Sequence, residues 1–442
     1  MDELKNKNIL VYGTGLSGES AVSFLLKNQA NVFVYDDKVP KKTFDRVTYI
    51  YNFDDVQKYN ITMCILSPGV QILGNKNIDA LKTQNIPYMS EFELGFKFSK
   101  GTKICVTGTN GKTTTVTLLY KIFSSFRKNV FLCGNTEIPI TSICEQTNNK
   151  SILICEVSSF ALESAIDIKP DCSAILNITT DHISRHINFE NYKNAKLNLI
   201  KNQNKNQFFV CQNDFIDQKT NAKIIDYSLF NNGVKGCYIK NNIIFNKNKK
   251  IMKVDKIKLK GTKNLQNILC AITIAKLYKV KNRYISKAIN NFKPLKHRME
   301  YIAEIDGVEY INDSKATNPD STLCAINSFS KPIILLLGGS DKGYSYDEIF
   351  KNLETTRAII AFGAVRKKIV ECAQKHRYEN IMQATNLNVA INLAYSIAIS
   401  GDVVLLSPAN ASFDEFENYE KRGESFCEIV GKIDEREKQN NK

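Results

Sequence analysis

The sequence contains no apolar run long enough to cross a lipid bilayer. The longest runs, such as residues 332–337, fall far short of the ~20 apolar residues that a membrane-spanning helix needs. The opening segment, Met1-Asp-Glu-Leu-Lys5, is charged and leads directly into an apolar stretch, so we expect no signal peptide. These absences predict a soluble protein of the cytoplasm with no membrane insertion.

Cys-x-x-Cys pairs are also absent, although the chain has 12 cysteines. Many of them lie in or beside apolar, strand-like segments: Cys64, Cys105, Cys155, Cys172 and Cys211. Cysteine in such a setting behaves as a small hydrophobe, and disulfides are rare in reducing compartments. We therefore expect free, buried thiols and no disulfide framework.

Acidic residues are fewer than basic ones, 45 against 60, which gives a net charge of +15. Such an excess is typical of proteins with a polyanionic partner such as nucleic acid, a membrane or phosphorylated metabolites. It also fits a compositional bias toward Lys, Asn and Ile, and the lysines here are dispersed. The densest run, residues 246–250, has no interleaved aromatics and is more typical of a hairpin tip or a solvated loop. We expect no nucleic-acid partner.

The length of 442 residues suggests about three domains. Strand-like and helix-like segments alternate from residue 8, again from residue 103 and again near residue 310, which predicts parallel sheets with helical crossovers. The polar stretch 201–262 predicts short strands and turns, a β-rich flank on the central domain. We place the domains at residues 1–98, 99–294 and 295–442.

The most informative motif is residues 106–115, Val-Thr-Gly-Thr-Asn-Gly-Lys-Thr-Thr-Thr, between a strand-like run and a helix-like segment, 113–123. Backbone N–H groups of such a loop and the positive end of the helix dipole form a cradle for anions. Lys112 can reach a β- or γ-phosphate, and Thr113 can offer its hydroxyl to Mg²⁺. A strict Walker pattern would have glycine at Val106, so this loop is a tighter variant. A glycine-rich turn without a ligand is the alternative, but the lysine and hydroxyl in register favour ATP binding.

A second glycine-rich turn, residues 13–18 (Gly-Thr-Gly-Leu-Ser-Gly), follows the first strand, and Asp36 ends the next one. This spacing matches the dinucleotide fingerprint, but any diphosphate can use the same turn and helix N-terminus. Asp36 is equally well explained as a ribose partner or as a cap at the strand end. Ser67, in the turn after the strand at 62–66, either lines the same cleft or only forms the turn.

Candidate metal ligands follow two strands of the central segment. Glu156 ends the apolar run 152–155, and a carboxylate at the carboxyl end of a parallel strand points into the ligand crevice. Beside a phosphate loop its natural role is to hold Mg²⁺, and helix capping is the alternative. His182 is a metal ligand, a base or a hydrogen-bonded scaffold residue. Lys196, in the predicted helix 192–199, is by sequence alone an ordinary surface lysine.

Three strand ends in the last segment carry small, hydroxyl or cationic residues, at 312–318, 338–343 and 407–412. Because the carboxyl ends of parallel strands meet at one edge of a sheet, together they predict one polar crevice. Lys315, Lys342 and Ser412 suggest an anionic substrate.

The order of these motifs resembles that of the Mur ligases: the loop at 107–113, Glu156, Asp-His at 181–182 and Ser-Lys-Ala-Thr-Asn at 314–318. The resemblance covers essentially the whole chain. It implies an α/β protein of three domains: a Rossmann-like N-terminal domain for the UDP of a nucleotide sugar, a central P-loop-type ATPase domain with a mainly parallel sheet, and a Rossmann-like C-terminal domain that brings the amino acid. The segment 313–318 is most similar to the members that add D-glutamate, since the sister enzymes carry a histidine-containing segment there.

The resemblance also implies roles by position. The UDP-sugar would contact Gly15, Leu16, Ser17, Asp36, Ser67 and Asn135. ATP would be held by Gly108, Thr109, Asn110, Gly111, Lys112, Thr113 and Thr114, with nucleotide contacts from Asn264, Asn267, Arg298 and Asp313. Metal ligands would be Thr113, Glu156, His182 and Lys196, the lysine as a carbamate. D-Glutamate would contact Lys315, Thr317, Lys342, Ser412 and Tyr419, and the catalytic set would be Lys112, Glu156, His182, Lys196, Lys315 and Lys342.

Three positions depart from the family pattern. Glu137 stands where glycine often follows the Asn135 turn, Ser184 replaces an aspartate after the Asp-His pair, and Lys263 replaces a histidine before Asn264. These departures leave the phosphate chemistry intact but bear on UDP-sugar and adenine contacts.

The implied reaction is the ATP- and Mg²⁺-dependent addition of D-glutamate to UDP-N-acetylmuramoyl-L-alanine through an acyl phosphate, in cytoplasmic peptidoglycan precursor synthesis, by a monomer. A sister ligase with another amino-acid specificity is the nearest alternative. An NAD-dependent dehydrogenase would leave Lys112 and Glu156 unexplained. A nucleic-acid-stimulated NTPase would rest on the net charge of +15.

Overall fold

The computed structural model describes residues 3–39, 42–231, 233–259 and 261–440. It divides into two compact units, Met1–Ile257 with Gln266–Asn291 and Lys258–Leu265 with Phe292–Lys442. Within the described ranges, every helix is too short or too polar to span a membrane. The three-domain boundaries at 98 and 294 remain a prediction.

The first sheet of the larger unit has five parallel strands in the order β3-β2-β1-β4-β5. The side chains of Ile9, Leu10 and Val11 are fully buried, as expected for a strand covered on both faces. The elements are β1 (Asn8–Tyr12), α1 (Leu16–Lys27), β2 (Asn31–Tyr35), β3 (Val47–Tyr49), β4 (Met63–Leu66), α2 (Lys76–Thr83), β5 (Tyr88–Ser90) and α3 (Glu91–Phe98).

The second sheet of this unit has six parallel strands in the order β11-β10-β9-β6-β8-β7. Its strand β6 lies centrally, so the loop after β6 opens between the ends of β8 and β9. The elements are β6 (Thr102–Thr107), α4 (Lys112–Ser124), β7 (Val130–Gly134), β8 (Ile152–Glu156), α5 (Ser159–Glu163), β9 (Cys172–Ile175), α6 (Ile183–His186), α7 (Phe189–Lys201), β10 (Phe208–Gln212) and β11 (Lys223–Tyr227).

The predicted β-rich flank is confirmed as a separate three-stranded antiparallel sheet. The lysine run at 246–250 forms its second hairpin tip, as the sequence predicts. The flank consists of β12 (Cys237–Lys240), β13 (Ile243–Asn246) and β14 (Lys249–Lys253), and it is followed by α8 (Thr262–Leu277) and α9 (Asn282–Asn290). Short 3₁₀ turns lie at Phe53–Tyr59, Ile140–Ser142, Cys144–Gln146, Asn213–Phe215 and Val254–Lys256.

The smaller unit has a six-stranded sheet in the order β15-β16-β20-β17-β18-β19, parallel except for the β15–β16 pair. Apolar side chains on both faces form its core. The elements are β15 (Glu300–Ile305), β16 (Val308–Asn312), α10 (Pro319–Ile326), β17 (Ile333–Gly338), α11 (Asp347–Phe350), β18 (Thr356–Phe362), α12 (Arg366–Lys375), β19 (Ile381–Gln383), α13 (Leu387–Ile397), β20 (Val403–Ala409) and α14 (Tyr419–Asn440).

Some element boundaries differ from the sequence-based expectation. The helix predicted at 192–199 is longer, because the Asn188 side chain accepts from the Asn191 amide and caps the helix three residues earlier than predicted. The sequence pattern predicts the first helix at residues 19–28, whereas α1 begins at Leu16 and ends at Lys27. Each of these helices has polar residues in its first turn, so a prediction based on apolar periodicity places its start too late.

Candidate active site

The phosphate loop forms the expected junction between β6 and α4. Gly111 has φ +87°, and a Cβ there would lie 2.4 Å from the Asn267 side-chain oxygen, so only glycine fits. The ammonium of Lys112 donates to the carbonyl oxygens of Gly108 and Thr109, each at 2.9 Å. The lysine side chain therefore folds back over the phosphate loop and contacts its backbone.

Side chains from the β9 end hold this loop in place. The Asn177 side chain accepts from the Asn110 amide at 2.8 Å and donates to the Asn110 carbonyl at 3.0 Å. The Thr109 hydroxyl lies 2.9 Å from the Tyr192 hydroxyl on α7. Thr113 is half-buried and Thr114 is buried in the first turn of α4. The loop conformation is therefore fixed by protein contacts before any nucleotide binds.

Glu156 ends β8 as predicted and is only 2% exposed. One carboxylate oxygen accepts from the Asn135 side chain at 3.1 Å, while Oε2 is buried without a hydrogen-bond partner among the residues that the structure describes. A buried carboxylate oxygen normally has a partner, since burial without one is costly. This oxygen is suited to an external ligand, such as a cation or the donor of a substrate.

Lys196 is not the surface lysine that its sequence context suggests. Its side chain is 1% exposed and donates to the Gly108 carbonyl at 2.9 Å, with the ammonium 4.7 Å from the Tyr192 ring. Burial and the positive charge of Lys112 lower the pKa of Lys196 well below its usual value, although Asp181 and Glu156 oppose this. A lysine with a neutral amine beside the phosphate loop is chemically able to accept CO₂.

His182 lies at the N-terminus of α6 with φ +54°, a left-handed conformation that is uncommon outside glycine. Its ring makes an edge contact with Phe160, with centroids 4.8 Å apart, and its Nε2 lies 3.6 Å from the Asp181 carboxylate. The ring is 37% exposed, so one face is accessible to a ligand.

Five of the six predicted UDP-sugar residues line one cleft, with a volume of about 330 Å³. This cleft is also lined by Glu156, which connects the first sheet to the end of the central sheet. The predicted residues are Gly15, Leu16, Ser17, Ser67 and Asn135. Ser67 is therefore part of a cleft wall as well as of a turn.

Asp36 is the sixth predicted UDP-sugar residue, and it does not line the cleft. Its carboxylate accepts from the amide and hydroxyl of Thr14 and from the Lys38 amide. Burial alone would raise the pKa of Asp36, but these hydrogen bonds outweigh it and lower the pKa. These contacts support the capping interpretation, and a direct substrate role remains a prediction.

Arg185 is a residue whose role sequence reasoning missed. Its guanidinium donates to Glu163 at 2.9 Å and to the Val70 carbonyl at 2.7 Å, and it lies 4.0 Å from the Phe160 ring. It therefore ties the central sheet to the turn that carries Ser67. Its place three residues after His182 was the available signal, but its partners lie far away in sequence.

In the smaller unit, Asp313 follows β16 and is buried. Its carboxylate accepts from the Met299 amide at 3.1 Å and from the Ser407 hydroxyl at 2.9 Å. Burial raises the pKa of Asp313 to about 7, although these hydrogen bonds and Arg298 oppose the shift. Two of the three predicted strand ends thus meet at this carboxyl group.

Lys315 and Tyr419, both predicted to bind the amino acid, are brought together. The Lys315 ammonium donates to the Tyr419 hydroxyl at 2.5 Å and lies 4.3 Å from the centre of its ring. Ser412 is buried and Thr317 is half-buried, while Lys342 lies over the Tyr344 ring at 5.7 Å.

Arg422 organises this region and was missed from the sequence. It is fully buried and donates to the Asn410, Ala411 and Ser314 carbonyls and to the Ser314 hydroxyl, at 2.9–3.1 Å. Burial lowers the pKa of the guanidinium to about 9. It joins the loops after β16 and β20, but nothing around position 422 in the sequence indicates burial.

Comparison with known proteins assigns the family. Residues 106–275 match the Mur ligase middle domain, and residues 297–410 match the Mur ligase, glutamate ligase domain. A Clostridioides difficile (strain 630) protein named UDP-N-acetylmuramoylalanine--D-glutamate ligase is 37% identical over 451 residues, covering 98% of this chain and 100% of that protein. The chain belongs to the Mur ligase family. A relative of the same name from Caldanaerobacter subterraneus subsp. tengcongensis is 35% identical, covering 97% of this chain and 99% of the relative.

Solved structures show that this Mur ligase shares its fold with distant members. The UDP-N-acetylmuramate-alanine ligase MurC of Thermotoga maritima gives a TM-score of 0.60 at 15% identity, covering 97% of this chain and 99% of that one. MurF of Acinetobacter baumannii gives 0.62 at 14% identity, covering 96% and 91%. At such identity the likeness concerns the fold alone.

The donor set of this Mur ligase fits Mg²⁺. Magnesium prefers carboxylate and hydroxyl oxygens, and the orphaned Oε2 of Glu156 is such a donor. The departures from the family pattern lie outside the cleft lining: Ser184 and Lys263 are exposed, and Glu137 lines a neighbouring hollow. Asn267 packs on Gly111, whereas Asn264 lies half-buried near Gly261 in the smaller unit.

Proposed function

We propose that this Mur ligase joins D-glutamate to the alanyl carboxylate of UDP-N-acetylmuramoyl-L-alanine at the expense of ATP. The observation that carries the proposal is the cleft in which Gly15, Ser17, Ser67 and Asn135 meet the unpartnered carboxylate oxygen of Glu156. It brings residues suited to a nucleotide sugar next to the end of the phosphate-loop sheet. The 35–37% identity to relatives named for this reaction supports the choice of substrate.

The first step is phosphoryl transfer from ATP to the carboxylate, which forms an acyl phosphate and releases ADP. Such transfer depends on positioning and charge neutralisation more than on a nucleophilic side chain. Lys112 and the loop amides would hold the phosphates, and Thr113 and Thr114 would follow them in the first turn of α4. Asn264, Asn267, Arg298 and Asp313 would contact the rest of the nucleotide.

Mg²⁺ would be held by Thr113, Glu156 and His182, and by Lys196 as a carbamate, and it would neutralise the charge on the phosphates. Lys196 supports this role through its burial and its lowered pKa, since the reaction with CO₂ needs an uncharged amine. Asn135 orients Glu156 by donating to its other oxygen.

The second step is attack of the D-glutamate amine on the acyl phosphate, which forms the amide and expels phosphate, with the amine proton passing to solvent. Lys315 and Lys342 would pair with the carboxylates of D-glutamate, while Thr317, Ser412 and Tyr419 would shape the pocket. The hydrogen bond and ring contact with Tyr419 orient Lys315 before the amino acid binds.

The proposal places the reaction in the cytoplasm, on soluble precursors, in a monomer. The nine buried free cysteines fit a reducing compartment.

Phosphate release with ATP, Mg²⁺ and UDP-N-acetylmuramoyl-L-alanine, over a panel of D- and L-amino acids, tests the proposal. We expect release that depends on D-glutamate and is lost in Lys112→Ala. Release with another amino acid would mean a sister ligase, and release stimulated only by nucleic acid would overturn the ligase assignment.

A further inference from the structure

Three side chains with different donor atoms converge in the smaller unit, away from the residues assigned above. Asp347 begins α11, Cys372 lies in α12, and His376 caps the C-terminus of α12 one turn later. A carboxylate oxygen, the thiol sulfur and an imidazole nitrogen all lie within 4.8 Å of one another. Their half-buried position leaves the cluster accessible from solvent.

The cluster is held in place before any ligand binds. The His376 ring stacks on Phe350, with centroids 5.9 Å apart and planes at 17°, and its Nε2 lies 2.7 Å from an Asp347 oxygen. The Ser345 hydroxyl donates to the other Asp347 oxygen at 2.5 Å. The i, i+4 spacing puts Cys372 and His376 on one face of the helix. Cys372 and His376 therefore face Asp347 from the same side of α12.

A surface ion pair is the simpler explanation, since Lys375 donates to Asp347 at 2.8 Å. That pair needs neither Cys372 nor His376, and exposed pairs of this kind contribute at most about 1 kcal/mol. Thiolate, imidazole and carboxylate are the donor types of zinc sites, whereas a thiolate is a poor ligand for Mg²⁺. The identity of the three donors thus points to a borderline-soft cation.

We propose that Asp347, Cys372 and His376 bind one Zn²⁺, with water as the fourth ligand. In tetrahedral zinc sites the ligand atoms lie about 3.5 Å apart, so the sulfur would approach and the Asp347–His376 pair would open slightly. Binding moves the Cys372 proton to solvent and displaces the Lys375 ammonium from Asp347. No electron transfer is involved, and the site does not depend on the proposed function.

The site would brace the segment that carries Lys342. Asp341 accepts from the Gly343 amide at 2.8 Å and pairs with Lys368 on α12 at 3.2 Å. A metal joining Asp347 to the same helix would anchor this segment at both ends. The expected role is structural, since none of the three ligands is assigned to the reaction.

Cobalt titration of the full-length, chelator-treated, reduced protein tests the proposal, with Co²⁺ as the probe and excess Mg²⁺ occupying oxygen-only sites. We expect one equivalent to bind with a thiolate charge-transfer band and tetrahedral d–d bands, both abolished by one equivalent of Zn²⁺. Cys372→Ser should abolish the thiolate band, and His376→Asn should weaken binding about 100-fold, at the upper end of effects seen for supporting residues. Cys324→Ser, a half-buried cysteine on α10, is the matched control and should change nothing.

A variant that binds the metal more tightly provides a test that misfolding cannot mimic. Lys375→Met removes the competing ammonium and should tighten Co²⁺ binding up to about fivefold, the equivalent of an exposed ion pair. A thiolate band that survives in Cys372→Ser, the absence of any thiolate band, or unchanged affinity in Lys375→Met would overturn the proposal.

Discussion

The carboxyl edges of two sheets, one in each compact unit, hold their buried ionisable groups in opposite ways. At the central sheet, Glu156 has an oxygen without a partner, and Lys196 donates to a single backbone carbonyl. At the C-terminal sheet, Arg422 donates to four acceptors, and both oxygens of Asp313 accept hydrogen bonds. Glu156 thus keeps hydrogen-bonding capacity for a ligand, whereas the hydrogen bonds of Arg422 and Asp313 are supplied by the protein.

This difference predicts which substitutions should affect activity and which should affect stability. A buried polar group without a protein partner costs stability, and such a cost persists in a native protein where a ligand uses the group. A buried charge with all its hydrogen bonds made holds loops together, and its removal leaves several partners unsatisfied. Substitution of Glu156 should therefore reduce activity more than stability, and substitution of Arg422 should reduce stability more than activity.

The largest expected effect is that of Glu156→Gln on turnover. The amide keeps the shape and the contact with Asn135 but removes the negative charge, so we expect kcat to fall about 10³-fold, equivalent to about 4 kcal/mol. The free energy of unfolding should stay within about 1 kcal/mol of the wild type, since Oε2 has no partner to lose. Phosphate-release kinetics and denaturant unfolding give the two values.

Glu145→Gln is the matched control for that variant, because it neutralises a half-exposed carboxylate outside the cleft. It should leave both quantities unchanged. Loss of stability in Glu156→Gln comparable to its loss of activity would mean that the carboxylate is structural.

Arg422→Met should show the reverse pattern. Without the guanidinium, the Asn410, Ala411 and Ser314 carbonyls lose a buried donor, so we expect a loss of about 3 kcal/mol in the free energy of unfolding. Urea unfolding followed by circular dichroism measures it. Lys421→Met, next to it in α14 but exposed and paired with Glu424, should change stability by no more than about 0.5 kcal/mol. Equal stability of the two variants would contradict the comparison.

The contrast between the edges also explains what could be predicted from the sequence. Lys112 is predictable from the glycine-rich loop that leads from β6 into α4, and Glu156 from its place at the end of β8, because parallel topology brings the carboxyl ends of the strands to the ligand edge. Arg422 was not found, because its partner Ser314 lies 108 residues away. Lys196 has the context of a surface helix, and only the packing of α7 on the phosphate loop buries it.

Lys196→Met should increase the free energy of unfolding, in contrast to Arg422→Met. The variant removes a buried amine that is costly to desolvate, and the Gly108 carbonyl keeps its hydrogen bond from Lys112, so we expect a gain of about 1–2 kcal/mol in the free energy of unfolding together with a loss of activity. Lys193→Met, in the same helix but more exposed, should affect neither. A destabilised Lys196→Met would place this lysine with Arg422, among the groups that the protein itself completes.

The last expected effect is the pH dependence that Asp313 gives to stability. Its pKa is raised to about 7 in the folded protein from an ordinary value of 3.8, so between about pH 4 and 7 the native state keeps a proton that the unfolded chain releases. The native state then binds more protons, and stability falls as pH rises through this window. Asp313→Asn should remove this slope, about 1 kcal/mol per pH unit, and should be relatively more stable at pH 8 than at pH 5.

Urea unfolding at pH 5, 6 and 8, followed by circular dichroism because the chain has no tryptophan, measures that slope. Asp341→Asn is a control for which the effect on stability should have the opposite sign. The hydrogen bond from the Gly343 amide lowers the pKa of Asp341, so loss of this carboxylate should reduce stability at neutral pH. Identical slopes for wild type and Asp313→Asn would show that this carboxyl is ionised when folded. Asp313 would then carry a buried negative charge, as Glu156 does, and a bound ligand could stabilise that charge in the C-terminal sheet as it could in the central one.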